Sequence, residues 1–302
     1  MLPYTGEIAA LFTSLCWTIS ATAYTYSGNK IGAQVVNRLR LLVAILMLVA
    51  INWIFYGEPI PLQASPDRWI WLSLSGFVGL AVGDAFLFQA YSLIGARMGL
   101  LLLSLSPVFS TLIAWLFLGE TLSLIQLIGM LLALGGISWV IFAKRATSDI
   151  DIHPRKVLLG VIYGVLAAIG QAGGLVLSRQ GMVDGFPPFA GTLIRMIAAF
   201  IALWLLAVLQ KKAKTTLVTA CQNPRITALV FFGSIFGPVV GVSLSLLAVQ
   251  YVKLGIASTL MALPPVIMMP VGYFFFHEKF GWQAILGTFI TIAGVATLFI
   301  IQ

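Results

Sequence analysis

The sequence predicts an all-α integral membrane protein with ten transmembrane helices arranged as two inverted five-helix repeats. Three observations predict this fold. Of the 302 residues, 60% are hydrophobic and 9% are charged, with a mean hydropathy of +1.05, whereas soluble domains carry about a quarter charged residues. The apolar residues form runs long enough to cross a bilayer. The second half of the chain also repeats the pattern of the first half.

Ten apolar runs, separated by charged or polar loops, predict the spans. A helix needs about 20 residues to cross the hydrocarbon core. The runs do not alternate apolar and polar residues as the strands of a membrane barrel do, so helices are predicted. The predicted spans are 8–26, 41–56 (starting near 34), 69–93, 98–119, 121–143, 157–178, 187–210, 226–252, 254–276 and 280–302.

The basic residues predict the orientation. The chain has a net charge of +8, and most of its 17 lysines and arginines lie in the odd-numbered loops between the predicted spans. Basic loops prefer the cytoplasm. An even number of spans places both termini on one side, so charge predicts that both termini face away from the cytoplasm. The predicted location is the cell (inner) membrane, with several passes.

The same composition excludes several classes of protein. The basic residues form no continuous face, so a nucleic acid partner is not expected. Two distant cysteines and two histidines give no basis for a disulfide framework or a metal site. The sequence contains no Walker-type loop, HExxH or GxSxG motif. We therefore expect no cofactor, no metal and no catalytic residue.

An offset of 158 residues relates the third to fifth predicted spans to the eighth to tenth without a gap. Matches of proline, glutamate and glycine in one register carry more information than matches of leucine or alanine. The matched pairs are Gly79/Gly237, Gly83/Gly241, Pro107/Pro265, Glu120/Glu278, Gly129/Gly287 and Gly136/Gly294. An offset of 154 to 155 relates the first two spans of each half, so Arg40 corresponds to Arg195.

Each half therefore contains five predicted helices. The first repeat is placed at 1–143, the linker at 144–156 and the second repeat at 157–302. Because five is odd, the second repeat starts on the opposite side of the membrane and runs inverted. Inverted repeats are typical of secondary transporters, whose two halves rock about a central site.

The segment "GDAFLFQAYSLIGARMGLLLLSLSPVFSTLIAWLFLGE" (83–120) and its second copy carry a family resemblance. The small-residue turn, the proline within an apolar run, the Gly-Glu hairpin and the glycine spacing after it resemble the drug/metabolite transporter superfamily, specifically the EamA-like ten-helix exporters. The second copy departs at His277-Glu278, where the first has Gly-Glu. The resemblance covers essentially the whole chain.

This resemblance implies a ten-helix bundle with a central cavity that exports small metabolites or amino-acid-like solutes. Relatives are often described with cytoplasmic termini, which is opposite to the prediction from charge. A membrane channel or facilitator and, as a third class, a membrane-embedded enzyme remain alternatives. The expected partners are a small-molecule solute and the lipid bilayer, with a homodimer as a further expectation.

Three ionisable residues within or beside the spans are candidates for the cavity or a gate. Arg195 lies inside the seventh span, where a cation costs roughly 2.5–3.5 kcal/mol. Arg40, its repeat equivalent, belongs on the opposite side of the membrane. Each could snorkel, pair with an acid or attract an anionic substrate. Asp84 is the carboxylate well inside a span, and it either pairs with an arginine or binds a coupling proton.

Polar and proline residues complete the candidate set. Trp17 and Gln171 lie near mid-span, and Gln89 and Tyr91 lie on the third span. Pro107 and its second copy, Pro265, each remove a helical hydrogen bond. The freed carbonyls would need protein or cavity water, so these breaks point to cavity lining, with a packing kink as the alternative.

Glycines at fourfold spacing are predicted helix-packing positions. Gly79 and Gly83 form one pair, and Gly237 and Gly241 form its copy. Small residues at this spacing let helix backbones approach closely, either within one chain or at a dimer face. At the hairpin, Gly119 is predicted to end one helix and Glu120 to lie at the start of the next, where the helix dipole favours an anion.

Overall fold

The structure, a computed structural model, describes residues 4–143, 154–264, 266–267 and 281–300. All regular secondary structure in these ranges is helical, in agreement with the predicted all-α class. The first group of helices is α1 (Thr5–Ile31), α2 (Ala33–Tyr56), α3 (Pro66–Ser75), a π-helical segment (Gly76–Gly83), α4 (Asp84–Leu103), α5 (Ser106–Leu118) and α6 (Leu124–Ala143).

The second group follows the linker. It comprises α7 (Pro154–Gly181), a 3₁₀ turn (Val183–Gly185), α8 (Pro188–Leu209), α9 (Ala213–Gln222), α10 (Pro224–Ser234), a second π-helical segment (Ile235–Gly241), α11 (Val242–Tyr251), α12 (Leu254–Met261) and α13 (Trp282–Ile300). Of the predicted residues, Pro265, His277 and Glu278 lie outside the described ranges, as does most of the linker at 144–156.

Six helices in the described ranges are long and apolar enough to cross a membrane, by length and composition. They are Thr5–Ile31, Ala33–Tyr56, Pro66–Ala90, Arg155–Gly181, Pro188–Leu209 and Pro224–Tyr251. Three shorter apolar helices are Ser106–Leu118, Leu124–Trp139 and Ile285–Thr297. The multi-span membrane class is thus supported, while the count of ten spans stays a prediction.

The outer surface of the bundle is apolar. Side chains such as Ile54, Phe117 and Phe289 are 77%, 78% and 66% exposed. A water-soluble protein does not expose large apolar patches of this kind. Hydrocarbon solvates such side chains at no cost, so the surface is that of a protein embedded in lipid.

The predicted boundary between the third and fourth spans falls inside the helical segment Asp84–Leu103. The helical path through α3, the π-helical segment and α4 has 10, 8 and 20 residues, longer than a core of about 30 Å requires at 1.5 Å per residue. It packs antiparallel to α7 as far as Ile94, which fills the space beside Gly160. Leu102 in turn lies against Gly164 of α7.

Reciprocal contacts relate the two halves of the bundle. The space beside Gly136 is filled by Gly287 and Thr291, and the space beside Gly294 is filled by Gly129 and Ala133. Both contacts are the same under the offset of 158. When residue i contacts the equivalent of residue j, and j contacts the equivalent of i, the two elements are related by a two-fold axis. Here the axis is approximate and passes between α6 and α13.

Local backbone features follow the same offset. The π-helical segments Gly76–Gly83 and Ile235–Gly241 occupy corresponding positions. The helix also breaks at 104–105 before α5 and at 262–263 after α12. π-helical turns are rare and frequently occur at functional sites. The division of the chain at 144–156 stays a prediction.

Candidate functional site

A cavity of about 130 Å³ lies between α1, the end of α4, the start of α5, α7, α8, α11 and α12. Its walls are mostly apolar, with a few polar groups among them, which is typical of sites for small molecules. The polar or amphipathic lining residues are Trp17, Ser104, Ser106, Gln171, Arg195, Ser245 and Ser258. Helices from both halves of the chain therefore build the cavity.

Asp84 is held by two partners beside this cavity. Its Oδ2 forms an ion pair with Arg40 of α2, and its Oδ1 accepts a hydrogen bond of 2.6 Å from Nε2 of Gln171. Gln171 also donates to the backbone carbonyl of Gly79 at 3.1 Å, and Nε of Arg40 donates to Asn37 at 2.8 Å. Both oxygens of Asp84 are thus engaged, which supports the structural pairing of Asp84 with an arginine.

Arg195 is the buried cation of the cavity wall. The residue is 4% exposed, and its Nε has no hydrogen-bond partner in the part of the chain that the structure describes. Its Nη2 lies beside Gly79, where an added Cβ would come within 3.6 Å. Its charge also interacts electrostatically with Asp84. The group formed by Arg40, Asp84 and Arg195 therefore combines two cations with one anion.

Glycines on the π-helical segment leave room for the backbone and the side chain of Arg195. A Cβ at Gly76 would overlap the backbone carbonyl of Arg195, so α8 can pack this closely only against a glycine. Arg195 and Arg40, expected on opposite sides of the membrane, both interact with Asp84. Arg40 thus pairs directly with this carboxylate, whereas Arg195 interacts with it electrostatically without an ion-pair contact among the described residues.

The other candidates occupy different places. Trp17 is half-buried in the cavity wall, with its indole beside Gly241. Pro107 also lines the cavity, but it lies in the first turn of α5 and not inside a continuous helix. A proline is tolerated there because the first N–H groups of a helix lack intrahelical partners in any case. The expected kink is therefore a full break between α4 and α5.

Gln89 does not line this cavity, and its place as a cavity or gate candidate stays a prediction. Gln89 is exposed and is not among the residues that form the cavity wall. It follows Asp84 by five residues, which places it about 140° away around the helix at 3.6 residues per turn. Tyr91 lies on α4, but its side chain is outside the described structure. Pro265 is outside it altogether.

The four predicted packing glycines are buried and contact other helices of the same chain. Gly79 and Gly83 face Gly174 and Gly170 of α7; Gly237 faces Ser20. A Cβ at Gly174 would come 2.7 Å from the Cα of Gly79. These contacts support close packing within the chain. The homodimer stays a prediction.

The Gly-Glu hairpin is partly as predicted. α5 ends at Leu118, and Gly119 adopts the left-handed conformation with φ 66°, as expected of a terminating glycine. The expectation that Glu120 begins the next helix is wrong, because α6 starts at Leu124. Instead, Oε2 of Glu120 accepts a hydrogen bond of 2.9 Å from the backbone N–H of Leu254, at the start of α12.

Glu120 also joins the hairpin to α7. Its Oε1 lies 2.7 Å from Nη1 of Arg179. The contact is an ion pair and not a directed hydrogen bond, since Oε1 has no hydrogen-bond partner among the described residues. Nη1 also donates to the carbonyl of Val252 at 2.9 Å. We call the side of the bundle that carries Glu120, Arg179 and Val252 the Glu120 face. The anion does meet a helix N-terminus, but in the other half of the chain.

Sequence reasoning did not find Arg179, Ser245 or Ser258. Arg179 looks like a loop cation, and serines within apolar runs give no signal because they usually bond to their own helix. Ser258 does so, with its Oγ 2.6 Å from the carbonyl of Leu254. It also bonds Ser110 of α5 at 2.7 Å. Only the packing of α5 against α12 reveals this pair.

The model of the EamA-like transporter family matches residues 4–142 and again residues 158–300. The chain belongs to this family. The resemblance predicted from the hairpin, proline and glycine pattern is thereby confirmed. The EamA-like family supplies the class of activity, a membrane transporter of the drug/metabolite type, and it points to a transporter and not to an enzyme.

Two individual proteins are also similar to this EamA-like chain. A WAT1-related protein of Arabidopsis thaliana, described as chloroplastic, is 24% identical over 295 residues, which cover 94% of this chain and 69% of that protein. A crystal structure of another protein superposes with a TM-score of 0.75 at 16% identity, covering 97% of this chain and 94% of that one. The second likeness concerns the fold alone.

Proposed function

We propose that this protein is a secondary active transporter that exports small metabolites or amino-acid-like solutes across the cell (inner) membrane by alternating access. The observation that carries the proposal is the cavity of about 130 Å³ between helices of both halves, with buried Arg195 in its wall. In transporters built from inverted repeats, the substrate site lies between the repeats. The proposed partners are therefore a small solute and the bilayer.

The contacts of the Glu120 face support an alternating mechanism. Glu120 belongs to the first half, whereas Arg179 and Leu254 belong to the second. Charged contacts between the halves at one face hold that face closed. Rocking of the halves would separate these contacts and open the cavity to that side, and a bound solute would shift the balance between the two states.

A channel or facilitator is the alternative, and counterflow distinguishes it. Purified protein in vesicles loaded with unlabelled solute takes up labelled solute transiently above equilibrium if one site alternates between two sides. We expect saturable counterflow for at least one solute in a panel of amino acids, monocarboxylates and amines. Flux that rises linearly with concentration and shows no counterflow would contradict the proposal.

Two neighbouring residues provide a matched pair of variants. Ser106 lines the cavity at the start of α5, whereas Leu105 is 39% exposed and is not in the cavity wall. We expect Ser106→Trp to abolish counterflow because the indole fills the cavity. Leu105→Trp adds the same side chain one position away and should retain transport. If both variants transport equally well, the cavity does not lie on the transport pathway.

A further inference from the structure

The two repeats place different residues at equivalent positions around the cavity. The offsets of 154 and 155 relate Trp17 to Gln171 and Arg40 to Arg195, and the offset of 158 relates Val242 to Asp84. The contacts follow the same relation, because Gly83 packs against the backbone of Gln171 and its equivalent, Gly241, packs against Trp17. The cavity region therefore holds two versions of one arrangement.

In the first version, the buried cation has a carboxylate as its partner. Arg40 pairs with Asp84, and Gln171 donates to the second oxygen of the same carboxylate. The free-energy cost of burying a cation is lower when a carboxylate pairs with it and that carboxylate accepts a further hydrogen bond.

The second version lacks the acid. Val242 takes the place of Asp84 and Trp17 that of Gln171, so the equivalent cation, Arg195, has no carboxylate of its own. Arg195 and Val242 line the same cavity, and Nε of Arg195 is buried with no hydrogen-bond partner among the described side chains and backbone. Asp84 interacts with Arg195 electrostatically, but both of its oxygens already have partners. Among the residues that the structure describes, one positive charge therefore remains without an anionic partner.

Building on the proposed transport function, we propose that the cavity binds a small organic anion with an apolar body, whose carboxylate lies against Arg195 beside Val242. The solute thus supplies the anion that the second repeat lacks. Guanidinium groups bind carboxylates with directed, charge-assisted hydrogen bonds. Leu80, Leu175, Met261 and the indole of Trp17 provide the apolar wall for the body of the solute. An organic cation would meet a site that is already positive.

The size of the cavity limits the solute. Sites for drug-sized ligands run to about 300–1,000 Å³, whereas this cavity has about 130 Å³. Benzoate, with one carboxylate and one ring, is a suitable probe. Benzamide and benzylamine have nearly the same shape, with a neutral and a cationic group in place of the carboxylate.

The first test measures binding of these three compounds to the full-length protein in detergent, by calorimetry and by thermal stabilisation in chloride-free buffer. We expect benzoate to bind more tightly than benzamide by roughly 10- to 100-fold, the difference that a hydrogen-bonded charge makes, and benzylamine not to bind. Equal binding of benzoate and benzamide, or no binding of benzoate, would overturn the inference. So would displacement of benzoate by low millimolar chloride, which indicates an inorganic anion site.

The second test restores the missing acid. Val242→Asp places a carboxylate where the first repeat has Asp84, so we expect it to pair with Arg195 and to abolish binding of benzoate. Val242→Asn adds a polar group of the same size without charge and should keep the preference for benzoate over benzamide. Arg195→Gln should lose that preference. If Val242→Asp binds benzoate as the unchanged protein does, the assigned position of the anion is wrong.

Transport separates the two proposals. If counterflow occurs with amines or neutral solutes and does not depend on Arg195, the protein is a transporter but the inference about the anion fails. If vesicles show no counterflow with any solute while benzoate still binds with the expected preference, the site stands and the transport proposal fails.

Discussion

Glu120 and Arg179 form an ion pair, with Oε1 and Nη1 2.7 Å apart, that joins the end of α5 to the end of α7. The pair connects the two halves of the chain at one face only. If the halves rock about the cavity, this contact and the bond from the Leu254 N–H to Glu120 must open together. The pair should therefore bias the protein towards the state that is closed on the Glu120 face.

Glu120→Gln tests this bias. The side chains are 14% and 31% exposed, and a pair of this kind contributes about 1 kcal/mol or less, so the open population should rise by up to about fivefold. A Ser106→Cys reporter, in a protein with Cys16→Ala and Cys221→Ala, measures it. We expect a membrane-impermeant thiol reagent added on the Glu120 face to label the reporter faster in Glu120→Gln.

Asp184→Asn is the matched control for this measurement. Asp184 pairs with Arg68 at 3.2 Å on the same side of the bundle, but its side chain is 82% exposed. Loss of that charge should leave the labelling rate unchanged, because water screens the pair in either state. Faster labelling in both variants would mean that net charge at the surface, and not the contact with Arg179, sets the rate.

Asp84→Asn addresses the paired carboxylate. Removing one partner of a buried ion pair leaves an uncompensated charge, so we expect a loss of stability of about 3–5 kcal/mol. Arg40 would be the residue left unpaired. Unfolding in detergent, followed by circular dichroism against denaturant concentration, measures the change.

The double variant Arg40→Gln/Asp84→Asn supplies the comparison. Because it removes both charges, it should be more stable than Asp84→Asn alone, and the coupling between the two sites should be clearly non-zero. Additive effects would show that the two side chains do not depend on each other. If Asp84→Asn also transports normally under a proton gradient, Asp84 is not a proton-coupling site.

The membrane class, the repeat and four residues of the cavity wall could be predicted from the sequence because each depends on a pattern along the chain. Apolar runs mark spans, and the offset of 158 marks equivalent positions. Trp17 and Gln171 lie near mid-span in the sequence and Arg195 lies inside a span, and all three residues line the cavity. A polar residue in hydrocarbon is costly enough to be informative by itself.

The partners of these residues could not be predicted in the same way. Glu120 was expected at the start of the next helix, but it caps α12 of the other half. That contact depends on how the halves dock, which leaves no local pattern. Val242 gave no signal either, because valine in an apolar run is ordinary. The offset of 158 shows that Val242 replaces the acid found at Asp84, and only the structure places Val242 in the same cavity wall as Arg195.

The crossing of α6 and α13 leads to a prediction about packing. A Cβ at Gly136 would lie 2.6 Å from both the carbonyl oxygen of Gly287 and the backbone nitrogen of Thr291. Gly136→Ala should therefore force the helices apart and destabilise the protein by about 1–3 kcal/mol. At the adjacent Gly135, an added Cβ meets no described atom within 4 Å. Gly135→Ala should be neutral or slightly stabilising, because alanine restricts the unfolded chain.

Thermal unfolding of the two variants in the same detergent measures the difference. Both add one methyl group to the same helix, so helix propensity cancels in the comparison. A larger loss in Gly135→Ala would mean that this face of α6, and not the crossing with α13, is the packed one.

The last prediction concerns the direction of insertion into the membrane, and it is based on the distribution of basic residues alone. Basic residues such as Lys211, Lys212 and Lys214 lie between α8 and α10, on the side opposite to the Glu120 face. Positively charged loops stay in the cytoplasm, so the Glu120 face and both termini should lie outside it. An alkaline phosphatase fused after Gln302 should be active, and one inserted at Lys212 should be inactive. The reverse pattern would place the Glu120 face in the cytoplasm, and export would then begin with separation of Glu120 from Arg179.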